Sequence, residues 1–179
     1  MALLSFPSEN KQLENPIDIR FFMESRGIFF DQWTCSVEFE EDATQEIILE
    51  AYASELSHFM EKGDYETADV ISINHLTENY DAIRQKFLSE HTHSEDEIRF
   101  FVDGKGLFWF HLEGEPIFNL LCEKGDLISV PAGTRHWFDA GEKDPFVKAI
   151  RIFIDTTGWI PDYTNSKIEE KFADFKMPR

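Results

Sequence analysis

From His91 onward the chain is cut into short aromatic and β-branched segments divided by glycine-containing turns, and this rhythm constrains the fold more than any other feature. Segments at 97–102, 107–112, 117–122, 127–130, 137–138 and 146–154 follow one another, with turns at 104–106, 113–114, 124–125 and 133. Short strands at such spacing predict an antiparallel sandwich or barrel. Segment 97–102 carries bulky residues on both faces, as expected where a strand is covered on each side.

Upstream the periodicity turns helical. Ile47, Ile48, Ala51, Tyr52, Leu56, Phe59 and Met60 form one apolar stripe, which predicts a single long helix over 42–63. Asp42 and Gln45 have the spacing of a capping box, and Gly63 suits the C-terminal end. A stripe of this kind is core packing. A short helix is expected over 79–88, with Tyr80, Ile83 and Phe87 on one face, and a strand at 69–73. Residues 17–22 and 27–35 read as extended segments, 1–16 as a loose lead-in, and the stretch after Asn165 as a last helix using Ile168, Phe172 and Phe175. The expected class is mainly β with flanking helices (α+β), a single domain over 1–179. Its parts are a helical or extended region at 17–68, a barrel core at about 69–157 and a tail helix at about 165–176.

A core of this size needs no staple, because 42% of the residues are hydrophobic and 18 are Phe. A metal signature is therefore weighed first as function. With 35 acidic and 17 basic side chains the net charge is −18, a field that repels DNA, RNA and anionic membranes. No stretch approaches the length of a membrane-spanning helix, and residues 1–10 lack the basic leader of a signal peptide. Cys35 and Cys122 have no paired spacing and read as free thiols of a reducing, cytoplasmic setting.

The chemistry concentrates in two runs. His91 and His93 lie two apart and share a strand face, and Glu97 has the same parity. An H-x-H alone is a common accident. Here it extends to His91-x-His93-x3-Glu97-x6-Gly104, then twenty residues, then Gly125-x5-Pro131-x-Gly133-x2-His136. That pair of motifs is similar to the signature of the cupin superfamily, which implies a jelly-roll β-barrel holding a metal on His91, His93, Glu97 and His136. Two positions depart from the pattern, Gln85 for an expected glycine and Ala140 for an expected asparagine, and neither is a ligand. Three imidazoles and a carboxylate without a thiolate suit Fe(II), Ni(II), Mn(II) or Cu(II) better than structural zinc. Six-coordination leaves two open positions for a bidentate oxygen ligand. His58, His75 and His111 have no ligand-spaced neighbours and read as ordinary side chains.

The run from Phe87 through Glu90, Asp96 and Arg99 to Phe108 resembles the acireductone dioxygenase family, as does the run from Cys122 to Asp139. So do Phe30–Trp33, the start of segment 69–73, 149–153 and 158–160. The resemblance implies a methionine-salvage enzyme that cleaves 1,2-dihydroxy-3-keto-5-methylthiopentene with O2, using one Fe(II) or Ni(II) per chain. The iron form is implied to give formate and 4-methylthio-2-oxobutanoate, the nickel form formate, carbon monoxide and 3-methylthiopropionate. It assigns Arg99 to generating or holding the substrate dianion, Glu90 to metal incorporation and Asp96 to transmitting local conformational change. Arg99 shares the face of Glu97, where a buried guanidinium needs an anion: the substrate, or an interior carboxylate. Arg151 shares parity with Val147, Ala149 and Phe153; with Phe138 and Trp159 it is a candidate for the substrate pocket, though plain packing would also use the two rings. Partners are then a small molecule and O2, with no nucleic acid or membrane, and the chain a monomer. The same ligands would also serve another metal-dependent cupin oxygenase or isomerase, or a non-catalytic ligand-binding cupin.

Overall fold

The computed structural model describes residues 2–63, 65–154 and 160–178. Its strands are β1 (Leu3–Phe6), β2 (Lys11–Leu13), β3 (Phe29–Gln32), β4 (Thr67–Ile73), β5 (His91–Thr92), β6 (Glu97–Phe110), β7 (Phe118–Glu123), β8 (Asp126–Val130), β9 (His136–Asp139), β10 (Val147–Phe153) and β11 (Asp162–Tyr163). The helices are α1 (Pro16–Glu24), α2 (Gln45–Ala51), α3 (Ala53–Gly63) and α4 (Tyr80–Leu88), with a 3-10 turn at Ile168–Phe172. All strand pairs are antiparallel. One layer runs β11-β5-β9-β6-β7-β1-β2 and the other β4-β10-β6-β8-β3, so β6 belongs to both. This is the jelly-roll arrangement expected of a cupin.

β6 serves two layers because it changes face midway. Ile98, Phe100 and Val102 face α2 and α3, while Phe101 faces the space between the layers with Phe108 and Phe110. The parity reverses at a bulge: Ala149 pairs with Phe101 but Lys148 with Asp103, which leaves Val102 as an extra residue. Gly104 follows at φ 69°, and a side chain there would strike the Phe146 carbonyl, which explains the glycine of the motif. The outer face of the first layer, including Trp109 and Trp137, is covered by Phe172 and Phe175 of the tail. The central strands, β6 to β10, are thus largely buried on both faces.

Several local expectations are corrected. Residues 17–22 are helical, not extended: Asn15 caps α1 by accepting the Ile17 N–H at 2.9 Å, Pro16 opens it, and Ile19 and Met23 bury one turn apart. The lead-in is structured, since β1 pairs with β7 and Leu4 is fully buried. The long helix is two, broken at Tyr52 (φ −115°, ψ 18°), whose ring packs on Phe100. The capping box does not form; Thr44 is the cap, and the Gln45 side chain accepts the Val70 N–H of edge strand β4 at 3.0 Å. The tail holds a 3-10 turn in place of a full helix, and Lys167 enters it in the left-handed region at φ 59°.

Candidate metal centre

His91 and His136 face each other across β5 and β9, Glu97 opens β6, and His93 follows β5. Their ligand atoms all lie within 4.8 Å of one another, and all four residues are buried. The His136 Nε2 is 2.7 Å from Glu97 Oε2, and the His93 Nε2 is 3.3 Å from the same oxygen. Backbone carbonyls hold the rings from behind: His91 Nδ1 is 2.7 Å from Ser89 O, and His136 Nδ1 is 2.8 Å from Thr134 O. Each Nδ1–H donates there, which fixes the ring with its Nε2 turned towards the cluster. The Gly133 N–H donates to His93 O at 2.9 Å, so the Pro131–Thr134 loop fixes the third histidine too.

Arg99 lies beside the cluster with 4% of its surface exposed, its Nε 2.7 Å from Glu97 Oε1. The anion that the buried guanidinium requires is therefore supplied by a metal-ligand candidate. Phe138 and Phe108 cover it, with the guanidinium carbon 4.5 and 5.3 Å from their ring centres. Burial works to raise the Glu97 pKa, but Arg99 and the two histidines outweigh it and hold the carboxyl well below its ordinary range. Burial and the neighbouring His136 push His91 down to about 4. A neutral His91 beside an ionised Glu97 suits a divalent cation, which binds the deprotonated forms of both. The donor set fits a first-row metal ion with open positions.

The other candidates fall around this centre. Arg151 is the cross-strand neighbour of Arg99 and is partly exposed, gripping Asp69 at 2.7 and 2.5 Å. Asp96 accepts the Ala132 N–H at 3.0 Å and stands 3.4 Å from the Tyr65 hydroxyl, joining the loop before His136 to the end of α3. Trp159 lies outside the described residues. Glu90 is buried directly behind His91, where its carboxylate accepts from His111 Nδ1, Thr164 Oγ1 and, at 2.6 Å, Ser166 Oγ. Burial would raise its pKa, yet these three donors hold it below the usual value. His58 and His75 are exposed, as ordinary side chains would be, but His111 is tied to this centre. Thr164 and Ser166 carried no sequence signal: their partner is 74 and 76 residues away, and only the pairing of β11 with β5 brings them together.

A jelly roll with three histidines and a glutamate converging in its interior defines a metal-binding cupin. The ARD/ARD' family model matches residues 10–161, and the chain belongs to that family. It is 55% identical over 168 residues to an acireductone dioxygenase of Picosynechococcus sp., covering 93% of this chain and 95% of the relative. An acireductone dioxygenase of Marinobacter nauticus is 47% identical over 162 residues, 90% of this chain and 86% of the relative. Among solved structures, the Bacillus anthracis acireductone dioxygenase with a cadmium ion in its active centre superposes with a TM-score of 0.85. That match is 33% identical and covers 91% of this chain and 98% of the other.

Proposed function

We infer that the chain is a metal-dependent dioxygenase that cleaves an acireductone with O2 in methionine salvage. The observation that carries this is the buried His91, His93, Glu97 and His136 cluster with Arg99 against it, in a chain of the acireductone dioxygenase family. These four residues would hold one Fe(II) or Ni(II), which when bound supplies Lewis-acid and redox chemistry. Around it, the chain's own groups orient and shield. Arg99 holds Glu97 by one oxygen, leaving the other for the ion, and its fixed charge is placed to meet an enediolate oxygen of the substrate. Phe108 and Phe138 exclude water from that charge and so strengthen it. Arg151, beside Arg99 and held by Asp69, is assigned with Phe138 and Trp159 to the proposed substrate pocket. Glu90 and Asp96 act from behind the ligand strands.

The chain is read as one functional unit over 1–179, a cytoplasmic monomer that binds neither nucleic acid nor membrane. Its net charge of −18 and its two free cysteines support that reading. No helix among the described residues is long and apolar enough to cross a membrane. The test is to strip the protein of metal, reload separate aliquots with Fe(II) or Ni(II), supply acireductone and O2, and assay carbon monoxide. The donor set accepts both ions, so availability rather than the site decides occupancy. Carbon monoxide is expected from the nickel aliquot alone. Identical products from both would remove the metal-dependent outcome, and no consumption in either would remove the enzyme assignment.

A further inference from the structure

His111 follows β6 and is not itself a ligand candidate, yet it touches the chain immediately before two of them. Its side chain donates from Nδ1 to Glu90 Oε1, one residue before His91. Its backbone N–H donates to Arg135 O at 3.0 Å, one residue before His136. One residue thus bridges the two strands whose histidines stand opposite each other, with ring centres 4.6 Å apart. Glu90 is also gripped from the tail. Ser166 Oγ donates to Oε2 at 2.6 Å, Thr164 Oγ1 donates to the same oxygen, and the Thr164 N–H donates to Glu90 O at 3.1 Å. The tail thereby lays β11 along β5 and sets the Tyr163 ring 5.9 Å from that of His91.

We propose that His111 is a positioning residue for the metal ligands: by holding Glu90, together with Thr164 and Ser166, it fixes β5 against β9 and keeps the tail closed over the ligand strand. The proposal rests on the reading of His91 and His136 as ligands. A carboxylate on the residue before His91 is costly to bury unless donors satisfy it, and the donors it has come from other segments of the chain, which are thereby tied to the ligand strand. Three donors from two distant segments converge on it. Ligand strands held in this way lose metal slowly, because a histidine must swing out before the ion can leave.

The experiment uses full-length protein loaded with Ni(II) or Co(II), and follows transfer of the ion to a chelator along with the visible absorption bands of the bound ion. His111→Leu removes the donor and keeps the bulk, while the backbone N–H to Arg135 is retained. His111→Asn keeps an N–H near the Nδ1 position. Release from His111→Leu is expected to be about tenfold faster than from wild type with shifted bands, and from His111→Asn within about threefold of wild type. Ser166→Ala, a change in the exposed tail that leaves the core intact, is expected to release metal about threefold faster and supplies the answer should His111→Leu not fold. Release and spectra unchanged in both His111→Leu and Ser166→Ala would overturn the proposal, as would His111→Asn behaving like His111→Leu. Failure of wild type to bind either ion would overturn the ligand reading itself, and this is seen before any variant is compared.

Discussion

Arg99 and Glu97 form the interaction on which the site turns, and the two sit in contact at 2.7 Å with almost no exposure to water. Removing one partner of such a pair leaves the other charged and poorly solvated, at a cost of about 3–5 kcal/mol. Arg99→Met should therefore depress the unfolding temperature of the metal-free protein, and added Ni(II) should recover more stability in the variant than in wild type, because the ion replaces the lost positive charge. Calorimetry with and without metal decides this; equal unfolding temperatures for the two metal-free proteins would contradict it. His91 adds a pH dependence. In the unfolded chain it titrates near 6.5 and in the fold near 4, so between those values the unfolded chain carries the proton and the folded one does not. Its contribution is complete above pH 6.5 and is lost as pH falls towards 4, on the order of 3 kcal/mol for the metal-free protein. Unfolding midpoints measured across that window should fall with pH in wild type and flatten in His91→Gln. That His91, His93, Glu97 and His136 belong together was legible in sequence, from strand parity and the glycine-bounded motifs, and the structure gathers the four. The histidines' backbone acceptors, Ser89 O and Thr134 O, were not, because main-chain groups leave no mark on residue identity.

At the scale of elements, the legible parts were those with a strong period or a strong turn signal, such as α4 and the strands from β7 to β10, whereas β6 runs unbroken from Glu97 to Phe110 through the turn expected at 104–106. The misreadings have particular causes. Asn15 and Pro16 are a helix-start signal, and the aromatic density of 17–22 masked it. The break at Tyr52 answers a tertiary demand, a ring drawn into the core against Phe100, that no local rule expresses. The bulge in β6 is of the same kind: parity counted from Glu97 stays correct only as far as Val102. Past the bulge, even-numbered residues face inward, and Gly106 is among them, directly under the Phe138 ring. A side chain at 106 would occupy the space of that ring, and the ring lies on Arg99. Gly106→Ala should thus cost about 1–3 kcal/mol from overpacking, and it should lower turnover by more than it lowers metal content. Denaturant unfolding and metal analysis of the same preparation test both parts. Wild-type turnover in the variant would show that Phe138 does not need its place above Arg99.

For the whole molecule, the class of fold was legible because the succession of short strands admits few architectures, whereas its closure was not. The first strands return to pair with β7, and the tail returns to cover Trp109 and Trp137, so chain ends far apart in sequence complete the first layer. The strand shared by those layers has a consequence in time. β6 carries Glu97, its partner His136 is 39 residues further on, and neither ligand is near the other until β6 has found neighbours in both layers. Pairings between distant segments form late and slowly. The ion therefore meets only a finished molecule, and it can act on the way out but not on the way in. Saturating Ni(II) should slow unfolding in stopped-flow experiments by nearly the full factor of its stabilisation while leaving the refolding rate unchanged. A refolding rate that climbs with metal would mean the centre assembles early. If it assembles last, the newly made chain carries no memory of which metal surrounded it during synthesis, and its first catalytic identity is set by the pool it encounters once folded.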